Sequence, residues 1–267
     1  MGCISHFLRR GMAQFRHADI ECKCIKGVFK RGRGCRVGEK EGYKIREGQP
    51  TEANHCWSMV TIDRKKYLCD VTFAAGKLSV DQKKSVWKFG FSWNEEHFLA
   101  DPEAYLETRW PRDDTDGTAT YYQLVEIPQH DFLHWLSTPI IGEAAHKYKV
   151  KFISHLEGVI TLKDNTADIV FKAEYHIQIY ADLEIKSKGN HRIMKRYQPY
   201  TTLQGYVATS VVDDVHTVHV TLPGPGEYYL TIRGKLAEAL SSESERLQLI
   251  VAYKLMGRSP DVTPPHP

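Results

Sequence analysis

At 267 residues the chain is longer than one ordinary domain, and its 42% hydrophobic and 26% charged residues are those of a folded globular protein, not a collagen-like or disordered one. With 36 Lys and Arg against 33 Asp and Glu the formal net charge is only +3, which excludes nucleic acid as the main partner. No stretch approaches the roughly 20 apolar residues that span a bilayer, and the N-terminus lacks the apolar centre of a secretory signal.

In chain order, Met1-Gly2-Cys3 raises acylation of Gly2 or Cys3, the one route by which membrane association is expected. His6 stands where the acylation pattern asks for Ser or Thr. Phe7, Leu8, Met12, Phe15 and Ala18 recur at helical spacing and predict a helix over 5–18. A short strand follows from Ile20 to Phe29. Lys23, Lys26, Lys30, Arg31, Arg33 and Arg36, interleaved with glycine, read as a solvated basic loop. Apolar runs on either side of Asp63-Arg64-Lys65-Lys66 predict a β-hairpin whose four-residue turn lies midway between His55 and Asp70. Asp70 is then expected on the returning strand, facing His55 across the pair.

The aromatic-rich stretch 86–126 reads as irregular packing. Beyond about residue 128 the apolar period becomes two, as in Val218, Val220, Leu222 and in Tyr228, Leu230, Ile232. Some seven strands with turns such as Pro223-Gly224-Pro225-Gly226 between them predict an antiparallel sandwich, followed by a disordered tail from Gly257. All six cysteines, Cys3, Cys22, Cys24, Cys35, Cys56 and Cys69, fall in the first quarter of the chain. A sandwich without cysteine agrees with a reducing compartment, so a cytoplasmic location is expected. Cys22, Cys24, Cys35, His55 and Cys56 make a poor zinc pattern, because only one loose ligand pair is present, and buried free thiols are the preferred reading.

Acyl transfer by cysteine needs a thiolate, an imidazole to generate it, and a carboxylate or amide to orient the imidazole. His55 and Asp70 suit the second and third roles, although a His/Asp pair alone is equally a structural one. The residues around them are more specific. Asn54-His55-Cys56-Trp57 and Asp70-Val71-Thr72-Phe73-Ala74-Ala75-Gly76 resemble the transglutaminase-like pattern Asn-His-Ala-Trp, short hairpin, Asp-x-Thr-Trp-Gly-Ala-Gly. Asn94-Glu95-Glu96-His97 through Glu103, Trp110-Pro111, Gln123-Leu124 and Pro223-Gly224-Pro225-Gly226-Glu227-Tyr228 are similar to the continuation found in the kyphoscoliosis peptidase and hillarin family.

That resemblance implies an α+β fold: a papain-like transglutaminase core over 1–127, an antiparallel immunoglobulin-like β-sandwich over 128–256, and a tail at 257–267. It places the nucleophile at the start of a helix, ahead of a segment similar to Ala18-Asp19-Ile20. Counting back by the family's separation reaches Ile4, so either one residue is inserted and Cys3 is the nucleophile, or the position is lost. Cys3 has two residues before it, which implies a domain incomplete at its N-terminus. The implied catalytic set is Cys3, His55 and Asp70, with no metal and no organic cofactor. The implied partners are protein substrates or cytoskeletal proteins. The rival expectation is a catalytically inactive scaffold that binds partners through its sandwich.

Overall fold

The computed structural model describes residues 13–30, 45–46, 49–50, 52–81, 86–100, 102–112, 132–186, 200–237 and 247–258. They form two compact units that part between Trp135 and Leu136.

In the first unit a helix, α1 (13–17), leads through Asp19, whose φ of 55° turns the chain, into β1 (Glu21–Phe29). A short hairpin, β2 (Ile45–Arg46) and β3 (Gln49–Pro50), precedes β4 (His55–Ile62) and β5 (Lys65–Cys69). Then come α2 (Val71–Ala75), the paired β6 (Gly76–Asp81) and β7 (Val86–Phe91), a 3-10 turn (Glu95–His97), α3 (Pro102–Leu106) and β8 (Arg109–Pro111). The main sheet runs β5-β4-β1-β8 and is antiparallel throughout.

Period-two alternation makes this sheet apolar on both faces. Ile25, Trp57, Met59 and Leu68 share one core cluster with Ala100, Tyr105 and Leu106. Cys22, Val60 and Cys69 share the other, against Phe15, Phe98 and Leu99. Burying both faces holds β4, which carries His55, and β5, which leads to Asp70, in a fixed register.

Four expectations are corrected here. The β4–β5 turn has two residues, not four: Asp63 and Arg64 both adopt positive φ, 50° and 65°, the mirror-image turn that matches strand twist, so Lys65 and Lys66 pair with Ile62 and Thr61. Asp70 is not on the returning strand. It stands one residue beyond Cys69 and caps α2, its Oδ1 accepting from the amides of Thr72 (3.2 Å) and Phe73 (3.3 Å). Nor is the start of the basic run a solvated loop, since Lys23 and Lys26 are exposed positions within β1 and Lys30 is buried. Part of the 86–126 stretch is likewise regular, in β7, α3 and β8. Residues 5–12, Arg31, Arg33, Arg36 and the tail from 259 lie outside the described residues.

The second unit starts in α4 (Phe132–Ser137), which spans the division, and continues with β9 (Ile140–Ile141), α5 (Glu143–Lys147), β10 (Lys151–Phe152), β11 (Val159–Leu162), β12 (Thr166–Lys172) and β13 (Ile177–Lys186). After these come β14 (Tyr200–Leu203), β15 (Val207–Val212), β16 (Val215–Thr221), β17 (Gly226–Leu236) and β18 (Gln248–Gly257). One sheet runs β10-β12-β16-β15; the other runs β11-β18-β17-β13-β14, with β9 also on β18. Ile169, Phe171, Val218 and Val220 of the first meet Leu183, Leu230, Ile232, Val251, Tyr253 and Leu255 of the second in one core. Every pairing is antiparallel except β11 with β18.

Gly27 is closely packed beside the site. It pairs with His55, and a Cβ there would run into the Trp57 ring and the carbonyl oxygen of Trp110. Gly27→Ala is therefore expected to lower stability by about 1–3 kcal/mol, the usual cost of overpacking. Urea unfolding checks this, and an unchanged midpoint would contradict it.

Candidate functional site

His55 opens β4, and the preceding Asn54 secures it to β1. The Asn54 amide donates to the Gly27 carbonyl (3.0 Å), and its side-chain oxygen accepts from the Phe29 amide (2.8 Å). Asp70 is reached diagonally from β4, because Cys69 pairs with Ser58 and the next residue leaves the sheet. The two side chains meet with His55 Nε2 2.5 Å from Asp70 Oδ2, both buried at 7% and 1% residual exposure. A carboxylate can only accept, so Nε2 carries the hydrogen, and Nδ1 is left with the lone pair. No described residue hydrogen-bonds Nδ1. Phe73 and Phe29 wall the imidazole at 5.1 and 5.4 Å between ring centres. Phe73, standing where the motif has Trp, thus still supplies an aromatic wall.

The rest of the motif clamps the carboxylate. The Asp70 amide donates to the His97 carbonyl (2.8 Å), and Asn94 and Ser92 donate to the carbonyls of Ala74 and Ala75. Gly76, at φ 151°, ends α2 where a Cβ would meet the Gly90 carbonyl, so the last glycine of the motif is required by the β6–β7 packing.

Two groups that sequence reasoning did not single out complete the cluster. Arg109, 1% exposed, places Nη2 3.2 Å from the same Oδ2 of Asp70. Its guanidinium lies over Tyr105 (3.9 Å) and Phe29 (4.8 Å), and Nη1 donates to Thr108 Oγ1 (3.0 Å). Nη2 also reaches His97 Nδ1 (3.4 Å), which fits a neutral imidazole acting as acceptor. The only hint in the sequence is an arginine flanked by Tyr105 and Trp110. Burial alone would push the Asp70 carboxyl up, but the hydrogen bond from His55 and the charge of Arg109 outweigh it, and its pKa is lowered.

Cys3, the expected nucleophile, and Gly2 and Cys35 lie outside the described residues. The described thiols near the pair point the other way from activation. A hydrogen bond with Cys24 and burial push Cys56 far up, and burial pushes Cys69 up to about 11 and raises Cys22. Among the described residues no three His, Cys, Asp or Glu side chains are grouped to hold a metal ion.

The second unit has its own diagnostic feature. Tyr228, near the start of β17, donates from its hydroxyl to the Gly224 carbonyl (3.1 Å), just after the chain passes from one sheet to the other. A tyrosine tied back across such a corner, within two mostly antiparallel sheets, defines an immunoglobulin-like β-sandwich. Residues 134–267, half of the chain, match the KY-like, immunoglobulin-like domain, and the chain belongs to that family. The kyphoscoliosis peptidase resemblance is thereby supported in its immunoglobulin-like half. No curated protein matches the chain.

Among the histidines around the pair, His97 gives a direct test. Burial, and after it the Arg109 charge, lower its pKa from 6.5 to about 3. Between those values the unfolded chain holds a proton that the folded one does not, so stability present above pH 6.5 is lost progressively as the pH falls toward about 3. The His97 ring resonances are expected to show no inflection near 6.5 in an NMR titration of the folded protein, and an ordinary midpoint there would refute the buried cluster.

Proposed function

We propose that this protein is a transglutaminase-like, cysteine-peptidase-like protein that performs Cys-His-Asp acyl transfer or peptide hydrolysis. In this reading residues 1–127 form a papain-like transglutaminase domain, and the sandwich over 128–256 reaches its partners. The observation that carries it is the buried 2.5 Å bond from His55 Nε2 to Asp70, which leaves Nδ1 as a base with its lone pair available.

Cys3 is the proposed nucleophile. Its Sγ attacks the carbonyl carbon of a glutamine carboxamide or a peptide while His55 Nδ1 takes the thiol proton. The tetrahedral intermediate collapses as the imidazolium returns that proton to the leaving amine, or to ammonia, and a thioester remains. Water or a lysine amine then releases the acyl group. Asp70 accepts from Nε2–H throughout and supports the transient imidazolium. No step calls for a metal or an organic cofactor.

The partners proposed are protein substrates and cytoskeletal proteins, and the location cytoplasmic and cytoskeletal, on the strength of the kyphoscoliosis peptidase and hillarin resemblance. A feature of the sandwich that fits partner binding is β15, the edge of its sheet, with Val211 and Val212 exposed.

A second reading is favoured by one observation: Arg109 shares Oδ2 with His55, as in a purely structural ion-pair network. The chain is then an inactive scaffold. Carbamidomethylation of Cys3 by iodoacetamide, followed by peptide mass spectrometry across pH, decides between the two. Catalysis predicts that His55→Ala slows labelling of Cys3 near neutral pH by about 10²-fold. If Cys3 labels like an ordinary exposed thiol and the substitution changes nothing, acyl transfer is abandoned for the scaffold.

A further inference from the structure

Buried carboxylates need a countercharge, and the groups around Asp70 differ in whether they can supply a permanent one. From β4 comes His55, an imidazole and not a permanent cation. His97, from the 3-10 turn, is held neutral to about pH 3. Cys69, its neighbour at the end of β5, and Cys56 of β4 are thiols with raised pKa. The two amides of α2 donate to Oδ1 but carry no net charge. From β8 comes Arg109, a cation at every accessible pH, 3.2 Å from Oδ2 and unable to swing aside between Tyr105 and Phe29.

We propose that Arg109 is a positioning residue of the site: it keeps Asp70 ionised and fixed whatever the charge on His55, so the imidazole can exchange a proton while its acceptor stays in place. With Arg109 beside it the carboxylate keeps a permanent countercharge and a fixed position in either charge state of the ring. The catalytic consequence rests on the reading of His55 as a base. The hold on Asp70 does not, and it is measured without any activity.

The test is the urea midpoint of the full chain as a function of pH, in the wild type, Arg109→Met, Arg109→Lys, Asp70→Asn and the double variant Arg109→Met/Asp70→Asn. Because the folded pKa of Asp70 is lowered, its ionisation contributes stability that is fully present above the unfolded value of 3.8 and is lost as the pH falls through the folded value. Arg109→Met is expected to move that acid loss to higher pH. Lysine, which keeps the charge but not the stacked fork, should restore it in part. In the Asp70→Asn background the difference below pH 3.8 should shrink, leaving the part that Arg109 exerts through His97.

A drop from Arg109→Met that is equal at every pH, or a shift below pH 3.8 that is undiminished by Asp70→Asn, would overturn the proposal in favour of plain packing. If Arg109→Met does not fold, folding of the double variant supports the proposal, because the stranded carboxylate is then the cause. Failure of both overturns it. An intact shift with no effect of His55→Ala on Cys3 labelling would remove the base reading and leave Arg109 in its role, and the opposite result would do the reverse.

Discussion

Everything distinctive in the first unit follows from putting one carboxylate, Asp70, where water cannot reach it. A buried anion costs several kcal/mol unless each of its oxygens is engaged. Here Oδ1 takes two amides at the start of α2, and Oδ2 takes the imidazole of His55 and the guanidinium of Arg109. These partners come from β4, α2 and β8, so the carboxylate joins elements that are far apart in the chain. The backbone of Asp70, held by the His97 carbonyl, adds the 3-10 turn to the same point.

The apolar shell determines how strongly these charges act on one another. Phe29, Phe73 and Tyr105 surround the imidazole and guanidinium with rings, excluding water and lowering the local dielectric. The rings also fix direction. A guanidinium stacked on Tyr105 has its plane set, and with it the line from Nη2 to Oδ2. Phe73 lies against the imidazole of His55, 5.1 Å between ring centres. Ala74, in place of the pattern's first glycine, fits buried within α2 without a positive φ.

What could be read from the sequence was whatever local pattern encodes. Alternation of apolar residues marks β4 and β5, and the 15-residue separation of His55 from Asp70 brings them to the same end of a hairpin. The same alternation marks Val218, Val220, Leu230 and Ile232, the inward positions of the sandwich. Turn geometry was misjudged because charge was taken to mean loop. Asp63 and Arg64 make a complete two-residue turn, and Lys65 and Lys66 are strand positions, exposed and half-buried in turn. The run Tyr67-Leu68-Cys69-Asp70-Val71 extends the strand over Asp70, and the capping bonds to Thr72 and Phe73 end it at Cys69. Arg109 was invisible for a different reason: nothing local distinguishes a buried arginine from a surface one, since its burial depends on Tyr105, Phe29 and Asp70 converging from three elements. The parallel pairing of β11 with β18 is equally non-local.

The two functional readings turn on an asymmetry in one ring. A histidine kept only for structure in a buried network ordinarily satisfies both nitrogens, because an unpaired buried polar atom is destabilising by about 1–3 kcal/mol. His55 commits Nε2 to Asp70, and no described residue engages Nδ1. Asp70, by contrast, is satisfied without drawing on Nδ1, since Arg109 and two amides already complete its partners. None of these bonds involves Nδ1, so the hold on the carboxylate makes no demand on that nitrogen. A base poised for a thiol proton needs this separation: one nitrogen held rigidly by a carboxylate whose charge is balanced elsewhere, and the other left with its lone pair.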